Sequence, residues 1–252
     1  MKKYILAAAT VTCGILFQGC TSHTSDHAHW SYDGETGPSH WGDLNPAWSV
    51  CMTGKVQSPI NIDNAVEASC CNLEFSYGKQ SINLVNNGHT IKQSFDKGNS
   101  ITIMGKTYNL LQVHFHSLSE HTIKGAHSPM EAHFVHQADN GDYAVVGVML
   151  VPGKENSVVE TLWKNIPEEH NKAVETKDTF DINALLPAKK SFYTYNGSFT
   201  TPPGTEGVAW YVMDTPVEIS PSQLETFKKY YDHNFRPVQK LNGRQIKHVA
   251  VK

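Results

Sequence analysis

Between Leu111 and His136 the chain gathers side chains able to hold a metal ion. His114 and His116 stand two apart, Glu120 and His121 follow, and Glu131, His133 and His136 close the stretch. Val, Phe and Leu alternate with polar residues in both halves, which is the period-two pattern of half-buried strands. Residues two apart on a strand share a face, so His114 and His116 point together with Gln112 behind them. Glu131 and His133 repeat the arrangement on a second strand. Three imidazoles from two neighbouring strands form a facial nitrogen set that suits zinc and leaves its fourth tetrahedral position to water, the geometry of a catalytic site. Gln112 and Glu131 are placed to accept the other ring N–H of a ligand and fix its tautomer. An H-x-H pair on a strand is a weak signal alone, and the third histidine with its own carboxylate strengthens it. His121 reads as a hydrogen-bonded structural imidazole and His127 as a loop residue. Spacing leaves His136 open as a competing ligand.

The elements that must position these residues read as one domain of short strands and turns. Ser81–Val85, Ser100–Met104, Tyr143–Leu150 and Gly207–Met213 have strand patterns. Asn86-Asn87-Gly88, Asp96 to Asn99, Asp139 to Asp142 and Asn196-Gly197 read as turns between strands. The expected fold is mainly β: a single domain built on a large, mostly antiparallel, twisted sheet with a few short peripheral helices. Two helices are expected, Ser157 to Lys164, capped by Asn156 or Ser157, and Ser220 to His233, with Ser220 as cap and Pro221 in the first turn.

A formal net charge of −3 over 252 residues argues against a nucleic-acid partner. Lys2 and Lys3 lead an apolar run, Tyr4 to Ala9 and Gly14 to Phe17, which reads as an export signal over residues 1–20. Its end, Leu16 to Cys20, resembles a bacterial lipoprotein cleavage box, so a lipid anchor on Cys20 is the expected membrane contact. Residues 21–29, with His23, His27 and His29, read as a polar tether, and 30–252 as the folded domain. Cys51, Cys70 and Cys71 remain after the signal, an odd number that allows at most one internal disulfide.

In order along the chain stand Trp30-Ser31-Tyr32, Gly37-Pro38-Ser39-His40-Trp41, Gln57-Ser58-Pro59-Ile60-Asn61-Ile62 and Asn86-Asn87-Gly88-His89. After the histidine stretch come Tyr195-Asn196-Gly197-Ser198-Phe199-Thr200-Thr201-Pro202-Pro203, Val208-Ala209-Trp210 and Asn234-Phe235-Arg236-Pro237. Together these resemble the α-class carbonic anhydrases of the bacterial, exported kind, from about His29 to Lys252.

The resemblance implies reversible hydration of carbon dioxide to bicarbonate by zinc-bound hydroxide. It assigns the metal to His114, His116 and His133, with Gln112, Glu131 and the backbone carbonyl of Asn234 supporting them. Thr200 would accept the hydroxide's hydrogen bond and donate its own hydroxyl hydrogen bond to Glu120. Val135, Val145, Phe199, Thr200, Thr201, Val208 and Trp210 would line the substrate pocket, with Phe199 standing where the family usually has Leu. His89 matches the proton-shuttle histidine, and Tyr32 and Asn87 would order the waters between it and the metal. Sulfonamide and anion inhibitors, a periplasmic location and a homodimer are further expectations of the resemblance. The family cysteine that usually pairs with Cys51 is replaced by Gly204, so Cys51 pairs with Cys70 or Cys71 or is free. His114-x-His116-x3-Glu120 also resembles the first motif of cupin metal oxygenases, with Glu120 as a ligand, but the second cupin motif has no match. A non-catalytic zinc-holding lipoprotein is a third reading.

Overall fold

The computed structural model describes residues 28–69 and 71–251. The export signal, Cys20, most of the tether and Cys70 lie outside the described residues. Ten strands make the frame: β1 (Val66–Glu67), β2 (Lys79–Asn86), β3 (Ile91–Ser94), β4 (Lys106–His116), β5 (Met130–Gln137), β6 (Tyr143–Pro152), β7 (Ala173–Asp181), β8 (Phe192–Ser198), β9 (Glu206–Met213) and β10 (Lys247–Val249). They form one sheet in the order β7-β2-β3-β4-β5-β6-β9-β8-β10-β1. The antiparallel pair of Leu73–Ser76 and Ser100–Ile103 adds to the first half of β4 through Ser100–Ile103, and Val217–Ile219 runs parallel to the end of β6. Most neighbours are antiparallel. The exceptions are that last pair, β6 with β9, and β10 with β1.

The expected mainly β, largely antiparallel sheet is what forms. Its centre is β4, β5 and β6, because these strands carry the densest apolar residues. On one face Val113, Phe115, Ala132, Phe134, Val146 and Val148 pack under two helices, α3 (Ser157–Trp163) and α4 (Pro221–Lys228). On the other face Val135, Val145, Trp210 and Val212 join Ile60 and Ile62. Each buried valine, isoleucine or phenylalanine among them stabilises the fold by roughly 1.5–3 kcal/mol before chain entropy is counted. Here the reading of a half-buried strand is corrected: β5 is buried on both faces from Met130 to His136. Its polar residues Glu131, His133 and His136 are all buried and not on the surface.

Helix ends follow their caps. Asn156 Oδ1 accepts from the N–H groups of Val158 (3.0 Å) and Val159 (3.3 Å), so Asn156 is the cap of α3. Ser220 and Gln223 form a reciprocal capping box at α4. That helix stops at Lys228, five residues before the expected His233. The N–H groups of Tyr230 and Tyr231 both turn back to the Phe227 carbonyl, and the chain then heads for the site, where Asn234 is needed. Two short helical turns that the pattern did not announce, α1 (Trp41–Leu44) and α2 (Val50–Thr53), pack at the N-terminal side.

One expected turn is a strand. Asn196 and Gly197 pair with Ala209 and Val208 inside β8. A Cβ on Gly197 would lie 2.1 Å from Ser58 Oγ, so glycine stands there for close packing and not for a reversal. His127, expected in a loop, pairs with Thr122 in a small sheet, and its Nδ1 donates to the Ser119 carbonyl (2.6 Å).

Candidate metal centre

Antiparallel pairing of β4 and β5 sets His133 directly opposite His114, and Glu131 opposite His116. Because side chains alternate, His114, His116 and His133 emerge on the same face, and their ligand-capable atoms all lie within 4.8 Å of one another. Each ring is tied by its other nitrogen to an atom that only accepts. His114 Nδ1 donates to Gln112 Oε1 (2.8 Å), His116 Nδ1 to the Asn234 carbonyl (2.7 Å), and His133 Nε2 to Glu131 Oε1 (2.9 Å). Those bonds force the remaining nitrogens, His114 Nε2, His116 Nε2 and His133 Nδ1, to carry lone pairs toward a common point. Burial and the two neighbouring imidazoles hold His114 well below its ordinary pKa, and burial likewise lowers His116. Burial lowers His133 as well, but the Glu131 carboxylate outweighs it and the net direction is up.

A metal fits this donor set. His116 Nε2 and Glu120 Oε2 are both buried without a hydrogen-bond partner, 3.6 Å apart, and Glu120 Oε2 is 3.8 Å from His133 Nδ1. Leaving buried polar atoms unmade costs about 1–3 kcal/mol each, so a fold that does so is holding them for something else.

Behind the ligands the polar groups form a chain that sequence reading reached only in part. Glu131 Oε1 also accepts from His121 Nδ1 (2.8 Å), and Glu131 Oε2 accepts from the His121 N–H (2.9 Å). His121 Nε2 meets the Tyr195 hydroxyl (2.7 Å), which meets Ser58 Oγ (2.8 Å). His121 is thus the structural imidazole expected of it. Burial by itself would raise Glu131, yet His121 and His133 together hold its carboxyl well below the usual carboxylate range. Room for that carboxylate comes from Gly147 on β6, directly opposite His133, where a Cβ would come 2.8 Å from Glu131 Oε1.

His136 is not a ligand. Three residues from His133, it falls on the opposite face of β5, beyond a register shift at Val135/His136, and its Nε2 meets the Tyr77 hydroxyl (2.6 Å) in the core. The apolar residues that the resemblance assigns to a substrate wall pack together. Val135, Val145, Val208 and Trp210 belong to one cluster, and Phe199 packs on it with its ring edge-on to Tyr143 at 4.8 Å. Thr200 is buried and Thr201 closes a tight turn by accepting from the Gly204 N–H (2.8 Å). The expected hydrogen bond from Thr200 to Glu120 is not made. Glu120 Oε1 accepts from the Arg236 N–H (2.8 Å), and Oε2 faces the histidines.

At the mouth, His89 stacks on Trp30 with ring centroids 3.7 Å apart. Asn87 Oδ1 accepts from the N–H groups of His89 (3.0 Å) and Thr90 (2.8 Å), so its oxygen shapes the turn. Tyr32 is packed edge-on against Trp30 and Trp41, and burial, then Glu120, raise its hydroxyl pKa well above ordinary. Asn234 does more than offer a carbonyl. Its Nδ2 donates to the carbonyls of His89 (3.0 Å) and Phe115 (2.9 Å), knitting the His89 turn to the ligand strand.

Arg236 and Gln57, which the motif alone left without roles, bracket the Thr200 turn. Arg236 Nη1 donates to Gln57 Oε1 (2.8 Å) and Nη2 to the Cys51 carbonyl (2.6 Å), while Gln57 Nε2 donates to the Gly204 carbonyl (2.9 Å). Cys51 is a free, buried thiol. A Cβ on Gly204 would lie 2.5 Å from its Sγ, which puts the two positions side by side as the resemblance requires.

A facial trio of imidazoles on the central strands of such a sheet, beside valines and a tryptophan, defines a site that could hold one metal ion. The family model for eukaryotic-type carbonic anhydrase matches residues 36–250. A carbonic anhydrase of Pectobacterium atrosepticum is 39% identical over 236 residues, covering 93% of this chain and 97% of the relative. One from Klebsiella pneumoniae is 43% identical over 222 residues, covering 87% and 90%. The α-carbonic anhydrase of Thermovibrio ammonificans, solved with the inhibitor sulfanilamide, superposes with a TM-score of 0.85 at 45% identity over 87% of this chain and 99% of that one. The chain belongs to the α, or eukaryotic-type, carbonic anhydrase family and is an enzyme of it. The cupin reading falls with that assignment.

Proposed function

We propose that the protein interconverts carbon dioxide and bicarbonate with zinc held by His114, His116 and His133. The observation that carries this reading is the set of three imidazole lone pairs facing one point, each ring locked by a bond to its other nitrogen. When bound, zinc lowers the pKa of its water to about 7, the figure known for carbonic anhydrases in general, which supplies a nucleophile at neutral pH.

The chain's own residues do the rest. Glu120 Oε2, buried and without a partner, is free to accept the Thr200 hydroxyl proton, so the Thr200 oxygen can accept a hydrogen bond in turn and orient the nucleophile. Val135, Val145, Val208 and Trp210 offer a dry wall for an uncharged linear substrate. His89, half-buried at the mouth, takes up the proton released in each turnover. Sulfonamides would enter by the same wall. The basic and apolar leader with Cys20 supports export to the periplasm and a lipid tether.

Stopped-flow carbon dioxide hydration on the zinc-loaded protein, with sulfanilamide as control, tests the reading. Fast hydration that sulfanilamide abolishes is the expected result. A protein that binds one zinc and shows no hydration would overturn it.

A further inference from the structure

His89 is not the only imidazole at the mouth. The Asn171 N–H donates to the Asn86 carbonyl (2.7 Å), which fastens the loop after α3 to the turn that presents His89. Tyr231 reinforces that turn through a hydroxyl bond to Asn86 Oδ1. His170, one residue before the fastening point, is exposed and lies over Gly88, where a Cβ would be 3.8 Å from its Nδ1. On the other side His29 is exposed and precedes Trp30, on which the His89 ring is stacked. Three chain segments, remote in sequence, therefore bring His29, His89 and His170 to one rim.

We propose that His170 is the outward station of the proton path, taking the proton from His89 and giving it to the buffer, with His29 as a lesser second outlet. The proposal rests on the reading of His89 as the shuttle. The step moves a proton and nothing else. An N–H bond breaks on the His89 imidazolium as one forms on a ring nitrogen of His170, directly or across a water, and the buffer base then removes it. His89 is well suited to let go. Burial lowers its pKa, and His29 and His170 lower it further as like-charged neighbours when protonated. His170 stands in open water, where collision with buffer is not limited by the cavity walls.

The test is steady-state hydration by wild type, His89→Ala, His170→Gln and His29→Gln, in a low concentration of a bulky buffer and in high imidazole. In bulky buffer, kcat should fall roughly tenfold for His89→Ala and about twofold to threefold for His170→Gln. In both variants kcat/KM should stay unchanged, because proton export follows the chemical step. High imidazole should restore both. If His89→Ala is impaired and His170→Gln is not, the outward station is wrong and the shuttle reading stands. Should His89→Ala keep full kcat in bulky buffer, the shuttle reading falls and this inference with it. A loss of kcat/KM in His170→Gln would make the residue structural and overturn the proposal.

Discussion

The buried His136–Tyr77 pair should make the fold sensitive to mild acid. His136 is fully buried in the β5 core face, its ring stacked near that of Tyr77 at 6.0 Å, and burial lowers its pKa from 6.5 to about 3. In the unfolded chain the imidazole titrates normally. As pH falls below about 6.5, the unfolded state binds a proton that the native state refuses until about pH 3, so stability is lost on acidification. At 1.36 kcal/mol per pK unit, moving from pH 7 to pH 5 costs about 2 kcal/mol from this one group. The perturbation is the double substitution His136→Leu with Tyr77→Phe, which removes both partners and keeps an apolar shape. His136→Leu alone strands the Tyr77 hydroxyl and should cost about 1–3 kcal/mol at pH 7, much of which the second change recovers. Urea denaturation at pH 7, 6 and 5 in one metal state measures it, since every other titrating group is shared. The double variant should lose about 2 kcal/mol less than wild type between pH 7 and 5. Equal losses would refute the reasoning and mean that His136 is protonated in the native core.

Three further outcomes follow from the same geometry. Glu131→Gln weakens the clamp on His133 and on His121, so zinc affinity by chelator competition should drop about 10–100-fold, and unchanged affinity would remove Glu131 from the site's support. Gln57→Ala takes away the bracket between Arg236 and Gly204 and should destabilise by about 1–3 kcal/mol in urea, and Gln57→Glu, which turns an oxygen toward the Gly204 carbonyl and the Glu206 carboxylate, should lose at least as much; unchanged stability in both would remove the bracket's role. His248 lies between Glu67 (2.7 Å) and Asp214 (3.1 Å); burial lowers its pKa, but the two carboxylates outweigh that and raise it. The stabilisation is complete below the ordinary histidine value and fades as pH rises through the raised one. His248→Gln should therefore lower Tm more at pH 5.5 than at pH 9, and equal shifts would show that the imidazole is not charged in the fold.

The clustering of His114, His116 and His133 was legible because two-residue spacing on a strand is a geometric fact, and Gln112 and Glu131 came with it. Antiparallel pairing of neighbouring strands did the remaining work. His136 could not be placed until the parity of its separation from His133 met an observed register. Arg236, Gln57 and the link through His121, Tyr195 and Ser58 were not legible, since they join segments more than seventy residues apart in a topology that sequence does not draw. The parallel contact of β6 with β9 is hidden for the same reason. Gly197 misled because an Asn-Gly pair marks hairpin turns, and the contact that requires glycine there comes from Ser58, far away in the chain. His29, read as part of a solvated tether, is exposed and lies near His89.

The bracket that Arg236 and Gln57 form around the Thr200 turn has a bearing on where this enzyme can work. A cysteine in place of Gly204 would stand beside Cys51 and could fasten the turn with a bond that exists only in oxidising surroundings. Here the fastening is a guanidinium, an amide and two carbonyls, none of which gains or loses electrons. The turn keeps its shape in thiol-rich or thiol-poor media, and a newly made chain can close its site without waiting for an oxidant.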